Sequence, residues 1–370
     1  MDEIKLLQKL ISFESPSEKS NRAIVDFIAS LFPADQVKIV PLERAGEPVF
    51  NLIVKIPGQN HDRPLIFSGH TDTVPVSSGW TRNPFEGEIE GERIYGLGAS
   101  DMKSGLAAFI TAVKDIKSEP EQDIYLLFDA DEEASCLGGH NLIKTLTFDQ
   151  ASIIVAEPTN TSLQIGQKGG LEIEATFFGQ ALHSSLGTIK NNRAHNAIHK
   201  AFEAFKSLQE LETELATKKL TLFSSPTQSI CKISGGTAGN VIPDKCSFTI
   251  NRRLLPNENI EVEKQKIIEC LKSVDPNVVI NINFQGDANL LALESSLFQI
   301  AAKVSRETLG HQKIEVMSGW TQAGLFNRWG DCLIWGPGSL EQAHQADEYC
   351  RIEDVHRMKK AYKRFIENYK

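Results

Sequence analysis

The chain has 370 residues, 41% of them hydrophobic and 24% charged, with a formal net charge of -9 at pH 7. Such a composition is ordinary for a soluble globular protein and long enough for two or three domains. The acidic balance argues against nucleic acid or an anionic membrane as partner, since both demand a basic surface. A small cationic or zwitterionic substrate is compatible with that charge. The opening "MDEIKLLQKLISFESPSEKS" lacks the basic and then apolar segments of a secretory signal, and no apolar run approaches a membrane span, so a cytoplasmic protein is expected. Six cysteines are scattered without a C-x-x-C pair, which points to reduced, mostly buried thiols.

From Phe50 to about Glu157, apolar runs alternate with amphipathic stretches: "NLIVKIPG", "PLIFSGH", the helix-like "MKSGLAAFITAVKDIK", "DIYLLFDA" and "ASIIVAEPT". Short continuous apolar runs between helices predict an α/β domain around a mainly parallel sheet. The pattern changes over 168–284. There "GLEIEATFFG" reads as a strand, and Ala194, Ala197, Ile198, Ala201, Phe202, Phe205, Leu208 and Leu211 recur at three and four, as one face of a helix does. The strands "QSICKISGG" and "KCSFTINRRLLP", the helix "NIEVEKQKIIECLKSV" and the strand "NVVININF" complete a β-α-β-β-α-β order, the ferredoxin-like arrangement. A last run, "DCLIWGPG", reads as a strand of the first kind. The expected domains are therefore 1–167 with 285–370, and an inserted 168–284, joined near the Gly-rich crossing from Gln167 to Gly170.

In "IFSGHTDTVPV" a buried strand ends at Gly69 and His70, and residues i and i+2 of an extended chain point the same way. His70 and Asp72 can therefore share a face. Acidic residues follow other strands or tight glycine turns: Asp101 after "YGLGAS", Glu132 and Glu133 after "YLLFDAD", and Glu157 after "SIIVA". Each alone is equally at home as a helix cap or a solvated loop residue. Together at the carboxyl ends of strands, where open α/β sheets bind ligands, they form a like-charged cluster that needs cations. His344 joins them in the loop "WGPGSLEQAHQADEY". His70, Asp101, Glu133, Glu157 and His344 are enough donors for two metals sharing a carboxylate. Glu132 is left over as a general base toward water, and Asp72 is expected to accept the N–H of His70 and fix its tautomer.

The ordered set "SGHTDTVPV", "WTRNPFEGEIEGERIYGLGASDMKSGLAA", "DADEEAS", "AEPT", "ALHSS", "GNVIPDKC" and "GPGSLEQAHQADEY" resembles the co-catalytic zinc aminoacylase/carboxypeptidase family, over essentially the whole chain. Within it, the motifs are most similar to those of bacterial acetylornithine deacetylases. The resemblance implies an α/β zinc-peptidase-like catalytic domain carrying an inserted ferredoxin-like α+β lid that forms a homodimer. It implies two Zn²⁺ per subunit, with Co²⁺ as a substitute: one held by His70, Asp101 and Glu157, the other by Asp101, Glu133 and His344. Asp101 would bridge, before a cis peptide bond to Met102. It further implies that the lid residue His183 in "LHSS" helps stabilise an oxyanion in the partner subunit's site, and that Asn240 and Arg253 hold the substrate carboxylate or main chain. A guanidinium fork suits a carboxylate, but Arg252 lies next door and the assignment to Arg253 can slip by one. Gly338 and Ser339 are either substrate contacts or a plain turn. The implied reaction is hydrolysis of N2-acetyl-L-ornithine to ornithine and acetate, a step of arginine biosynthesis. The alternatives are succinyl-diaminopimelate desuccinylation or another N-acyl-amino-acid deacylase or dipeptidase activity.

Overall fold

The computed structural model describes residues 2–188 and 195–370. They form two compact units, one of 1–166, 289–317 and 321–370, the other of 167–288 and 318–320. Among the described residues no helix is long and apolar enough to cross a membrane.

The first unit is built on a nine-stranded sheet. Its centre is four strands parallel to their neighbours, in the order Gln122–Asp129, Asn60–His70, Ala151–Val155 and Gly330–Ile334. These are the continuous apolar runs of the sequence. Leu65, Ile66, Phe67, Ile153 and Ile154 are all at most 1% exposed, because a parallel sheet is covered on both faces and neither face of a strand can be polar. The run "NLIVKIPG" takes a different place. It belongs to the strand Val49–Ile56, which pairs antiparallel with Gln122–Asp129, and Val37–Leu42 lies antiparallel outside it. Only three residues separate Ile56 from Asn60, too few for the crossover that joins successive parallel strands.

The helix Lys103–Lys114 packs between the helices Glu3–Ile11 and Ile352–Asn368, with eleven of its twelve residues buried. Its enclosed residues are mostly apolar, and the polar ones are bonded: Thr111 Oγ1 donates to Ala107 O at 2.7 Å and Lys103 Nζ to Phe13 O at 3.0 Å. Phe67 stacks on Phe109 at 5.8 Å and meets Tyr362 edge-on at 5.2 Å. A phenylalanine buried in this way costs about 3–5 kcal/mol to truncate to alanine.

The second unit is a four-stranded antiparallel sheet, ordered Thr227–Gly235, Lys245–Leu254, Gly169–Phe178, Val279–Gly286, with the helices Ala197–Leu215 and Ile260–Val274 packed on it. Numbered along the chain, the strands run 4-1-3-2 across the sheet, which is ferredoxin-like. Two details differ from the sequence reading. Ala197, Ala201, Ala204 and Leu208 face the core, but Ile198 and Phe202 remain 37% and 55% exposed, so the apolar stripe of this helix wraps beyond the core it covers; Ala194 lies outside the described residues. The segment Ser318–Trp320, remote in sequence, also joins this unit. The Trp320 indole meets Phe284 edge-on at 5.0 Å and donates to Asp287 O at 3.0 Å. Gly286 makes room for it, since a Cβ there would lie 2.4 Å from the indole. Within the first unit a small three-stranded sheet, Ile89–Glu90, Arg93–Tyr95 and Tyr349–Arg351, anchors the two loops that flank Asp101 and His344.

Candidate metal centre

Each charged group singled out in the first unit lies just beyond the carboxyl end of a strand or in a loop tied to one. His70 closes Asn60–His70, and Glu157 follows Ala151–Val155. Glu132 and Glu133 follow Gln122–Asp129 through a turn in which Asp131 has a left-handed φ of 64°, and His344 lies in the loop after Gly330–Ile334 with a φ of 63°. Asp101 precedes a cis peptide bond to Met102 and then the helix Lys103–Lys114. That helix approaches the end of the neighbouring strand closely, because residue 105 is glycine: a Cβ there would lie 2.2 Å from Ala156 O.

These groups converge. His70 Nε2 is 3.2 Å from Asp101 Oδ1 and 3.8 Å from Glu157 Oε1, while His344 Nε2 is 3.8 Å from Asp101 Oδ2 and 3.0 Å from Glu133 Oε2. The two oxygens of Asp101 therefore face different histidine–carboxylate pairs. One ligand atom each from His70, Asp101 and Glu133 lie within 4.8 Å of one another. Donors about 2 Å from one tetrahedral cation stand roughly 3–4 Å apart. The set contains imidazole and carboxylate without thiolate, a chemistry that suits zinc and similar divalent ions.

Electrostatics favour a cation here. Burial pushes the carboxyls of Glu132 and Glu157 well above the usual range, and neighbouring carboxylates add to it. Glu133 is raised by burial too, although His344 opposes the shift. Burial disfavours a charge on His70, yet its hydrogen bond to Asp101 and the nearby Glu157, Glu132 and Asp72 raise it well above its ordinary value. Crowded acidic groups that hold protons reluctantly given up are poised to exchange them for a metal.

Asp72 takes a role other than the one expected. His70 Nδ1 is 2.9 Å from the backbone oxygen of Asp72 and 3.8 Å from its carboxylate. The chain turns after His70, so the carbonyl reaches the imidazole first. The carboxylate instead accepts the backbone N–H groups of Glu132 and Glu133, each at 3.2 Å, and the Ser17 hydroxyl at 2.7 Å. It thus fixes the turn that carries both glutamates. Arg44 holds the same turn from the other side, 2.5 Å from Asp131 and bonded to Ser17 O.

Sequence reasoning passed over Ser17, Arg44 and Glu348, whose partners are remote in the chain. Glu348 is 1% exposed and accepts N–H bonds from Gly98, Ser100 and Asp101 at 2.8, 2.7 and 2.9 Å. Its place in the quoted "HQADEY" was the available signal. Gly338 and Ser339 belong to a braced loop: Ser100 Oγ accepts from Ser339 N at 2.8 Å and donates to Ser339 O at 2.9 Å, while Ser339 Oγ accepts from Asn160 at 3.2 Å. Gly338 has a φ of 77°, and a Cβ there would lie 2.6 Å from Ser100 Oγ.

His183, Asn240 and Arg253 all fall in the second unit. His183 pairs with Val241 in a short two-stranded antiparallel sheet formed by segments remote in sequence, and Ser184 N donates to Asn240 O at 2.9 Å, so His183 and Asn240 are neighbours there. The His183 ring is exposed, 2.7 Å from Ser185 Oγ. Arg253 is partly buried in Lys245–Leu254 opposite Gly170. Arg252 points the other way and is 1% exposed, its guanidinium 2.5 Å from Glu258 and 3.0 Å from Glu263, which commits it to the core of this unit.

A family model described as Peptidase family M20/M25/M40 matches residues 66–368. An acetylornithine deacetylase of Yersinia pseudotuberculosis is 30% identical over 349 residues, spanning 91% of this chain and 88% of that protein. A solved M20 family metallo-carboxypeptidase from Sulfolobus solfataricus shares the fold with a TM-score of 0.80 at 21% identity, over 100% of this chain and 99% of that one. A protein from Bacillus subtilis described as a dinuclear metal binding peptidase of the M20 family has a TM-score of 0.71 at 13% identity, covering 98% and 96%.

Proposed function

The chain belongs to peptidase family M20/M25/M40, a family of amide hydrolases, and on that premise we propose that it is a dinuclear zinc enzyme that removes the acetyl group from N2-acetyl-L-ornithine. The observation that carries this reading is the division of Asp101 between two donor sets. His70, Asp101 and Glu157 would hold one Zn²⁺, and Asp101, Glu133 and His344 the other, with Co²⁺ as a substitute. Bound there, two divalent ions would polarise the amide carbonyl and acidify water.

The chain's own groups do the rest. Glu132, beside the ligand set, takes a proton from the attacking water and returns it to the departing α-amine. Asp72 keeps Glu132 and Glu133 aimed by fixing their backbone. His183 reaches the partner subunit's site and helps stabilise the developing oxyanion there, and Asn240 and Arg253 bind the substrate carboxylate or main chain, the guanidinium fork being suited to a carboxylate. Gly338 and Ser339 shape the loop that carries His344. A homodimer through the second unit is supported by its edge strand Thr227–Gly235, on which Ile230 and Ile233 are 40% and 55% exposed. Unpaired apolar edges of this kind call for a partner strand or a charge, and a second copy supplies the first. The name of the Yersinia relative supports acetylornithine as substrate, and on that reading the reaction belongs to arginine biosynthesis in the cytoplasm.

The test is hydrolysis by zinc-loaded protein of N2-acetyl-L-ornithine, succinyl-diaminopimelate and neutral N-acetyl amino acids, with metal content measured on the same sample. Preference for acetylornithine with two zinc ions per chain is the expected result. Preference for succinyl-diaminopimelate would replace the substrate and keep the metal site, and hydrolysis of none would overturn the acyl-amino-acid assignment.

A further inference from the structure

We propose that Glu348, a residue that belongs to neither donor set, positions Asp101 between them by holding the backbone of the turn from Gly98 to Asp101. This rests on the reading that Asp101 binds metal. Three backbone N–H groups converge on the one carboxylate: Gly98 on Oε2 at 2.8 Å, Ser100 and Asp101 on Oε1 at 2.7 and 2.9 Å. The Glu348 carbonyl also accepts Gly96 N at 2.9 Å. Immediately after it, the strand Tyr349–Arg351 pairs with Arg93–Tyr95, bringing Tyr349 opposite Tyr95. The turn that ends at Asp101 is thus fastened along its whole length to the segment that begins at His344.

That connection has a consequence for the site. His344 and Glu348 are four residues apart in one loop, and Asp347 between them accepts Thr81 N and Arg82 N at 2.9 and 3.2 Å, which pins the loop to the body of the unit. One short stretch therefore supplies a donor at one end and sets the orientation of the shared carboxylate at the other. Only a carboxylate meets the geometry. Charge-assisted bonds to three inward N–H groups need two acceptor oxygens, and an amide in their place would turn an NH₂ toward a donor at 1% exposure. Groups that orient metal ligands from behind typically tune affinity by about 10- to 100-fold.

The experiment compares wild type, E348Q and E348D as metal-free proteins titrated with Zn²⁺ against a competing chelator, with amide hydrogen exchange over residues 96–104 and thermal unfolding on the same samples. The expected result is an affinity about 10- to 100-fold weaker for at least one of the two ions and faster exchange at Ser100 and Asp101 in the folded variant. E348D retracts the carboxylate while keeping its charge, so it carries the same expectation if E348Q does not fold. A folded variant that binds both ions within twofold of wild type, with unchanged exchange, overturns the role of Glu348 and leaves the proposed function standing, even if its melting temperature is lower. A wild type that binds no Zn²⁺ overturns both.

Discussion

Replacing Arg252 by methionine should destabilise the second unit without touching the chemistry, whereas replacing Arg253 should do the reverse. The Arg252 guanidinium is 1% exposed between Glu258 at 2.5 Å and Glu263 at 3.0 Å. Methionine fills much of its volume but strands two largely buried carboxylates. Breaking one side of a buried ion pair costs about 3–5 kcal/mol. Here Lys218 stands 2.6 Å from Glu258 and 3.3 Å from Glu263, and Lys266 2.8 Å from Glu263, so part of the charge stays compensated and the loss should fall near the lower bound, about 3 kcal/mol. For a unit of this size, about 4 °C accompanies each kcal/mol, and its melting transition should drop by about 12 °C. Arg253→Met, with its partly buried side chain outside that network, should leave the transition within about 1 kcal/mol of wild type and raise KM by about 10- to 100-fold through the loss of a charged hydrogen bond. Urea unfolding and steady-state kinetics on both variants decide the matter. A loss below 1 kcal/mol in Arg252→Met, or an unchanged KM in Arg253→Met, would refute the division of labour between the two arginines.

Glu132→Gln should lower turnover by about 100- to 10,000-fold, the usual contribution of a general base, while metal content by mass spectrometry stays at the wild-type value; near-normal turnover would remove Glu132 from the mechanism. Burial acts to raise the Glu263 carboxyl, but Lys266, Arg252 and Lys218 overcome it and hold the group at about 2, against an ordinary 4.5. Its folded pKa is depressed, so the stability it contributes is complete above 4.5 and is lost as pH falls from there through about 2. The stability gap between wild type and Glu263→Gln should accordingly shrink across that window, and a gap in urea melts that is as wide at pH 2.5 as at pH 7 contradicts the assignment. Ile233→Lys places a charge on the 55% exposed edge of Thr227–Gly235 and should shift the protein toward monomer in sedimentation experiments; an unaltered dimer would move the interface elsewhere.

Much of the first unit was readable because its information is local. A strand covered on both faces must be apolar throughout, so "LIFSG" and "SIIVA" announce their place without reference to neighbours. Ligands of an open sheet gather beyond its strand ends, so His70, Asp101, Glu133, Glu157 and His344 form a set by their places in the chain alone. The alternation of the second unit likewise set out its β-α-β-β-α-β order, although neither the edge position of Thr227–Gly235 nor the outward turn of Phe202 was visible in it. A helical stripe specifies a face, and the width of whatever covers that face is decided elsewhere.

What the sequence by itself determined about this protein is the class of its architecture and which charged residues stand at its strand ends, because hydropathy period and residue chemistry act along the chain. Which atom meets which was decided only by the tertiary structure. Spacing put Asp72 beside His70, but the path of the turn delivers its carbonyl to the imidazole and its carboxylate to the backbone of Glu132 and Glu133. Spacing could not separate Arg252 from Arg253, and strand alternation turned one inward to Glu258 and Glu263. Nor could it connect Glu348 with Asp101, 247 residues away. Hydrogen bonds are short-ranged and directional, so partners remote in the chain are chosen by where folding brings the backbone, after burial has settled which elements meet.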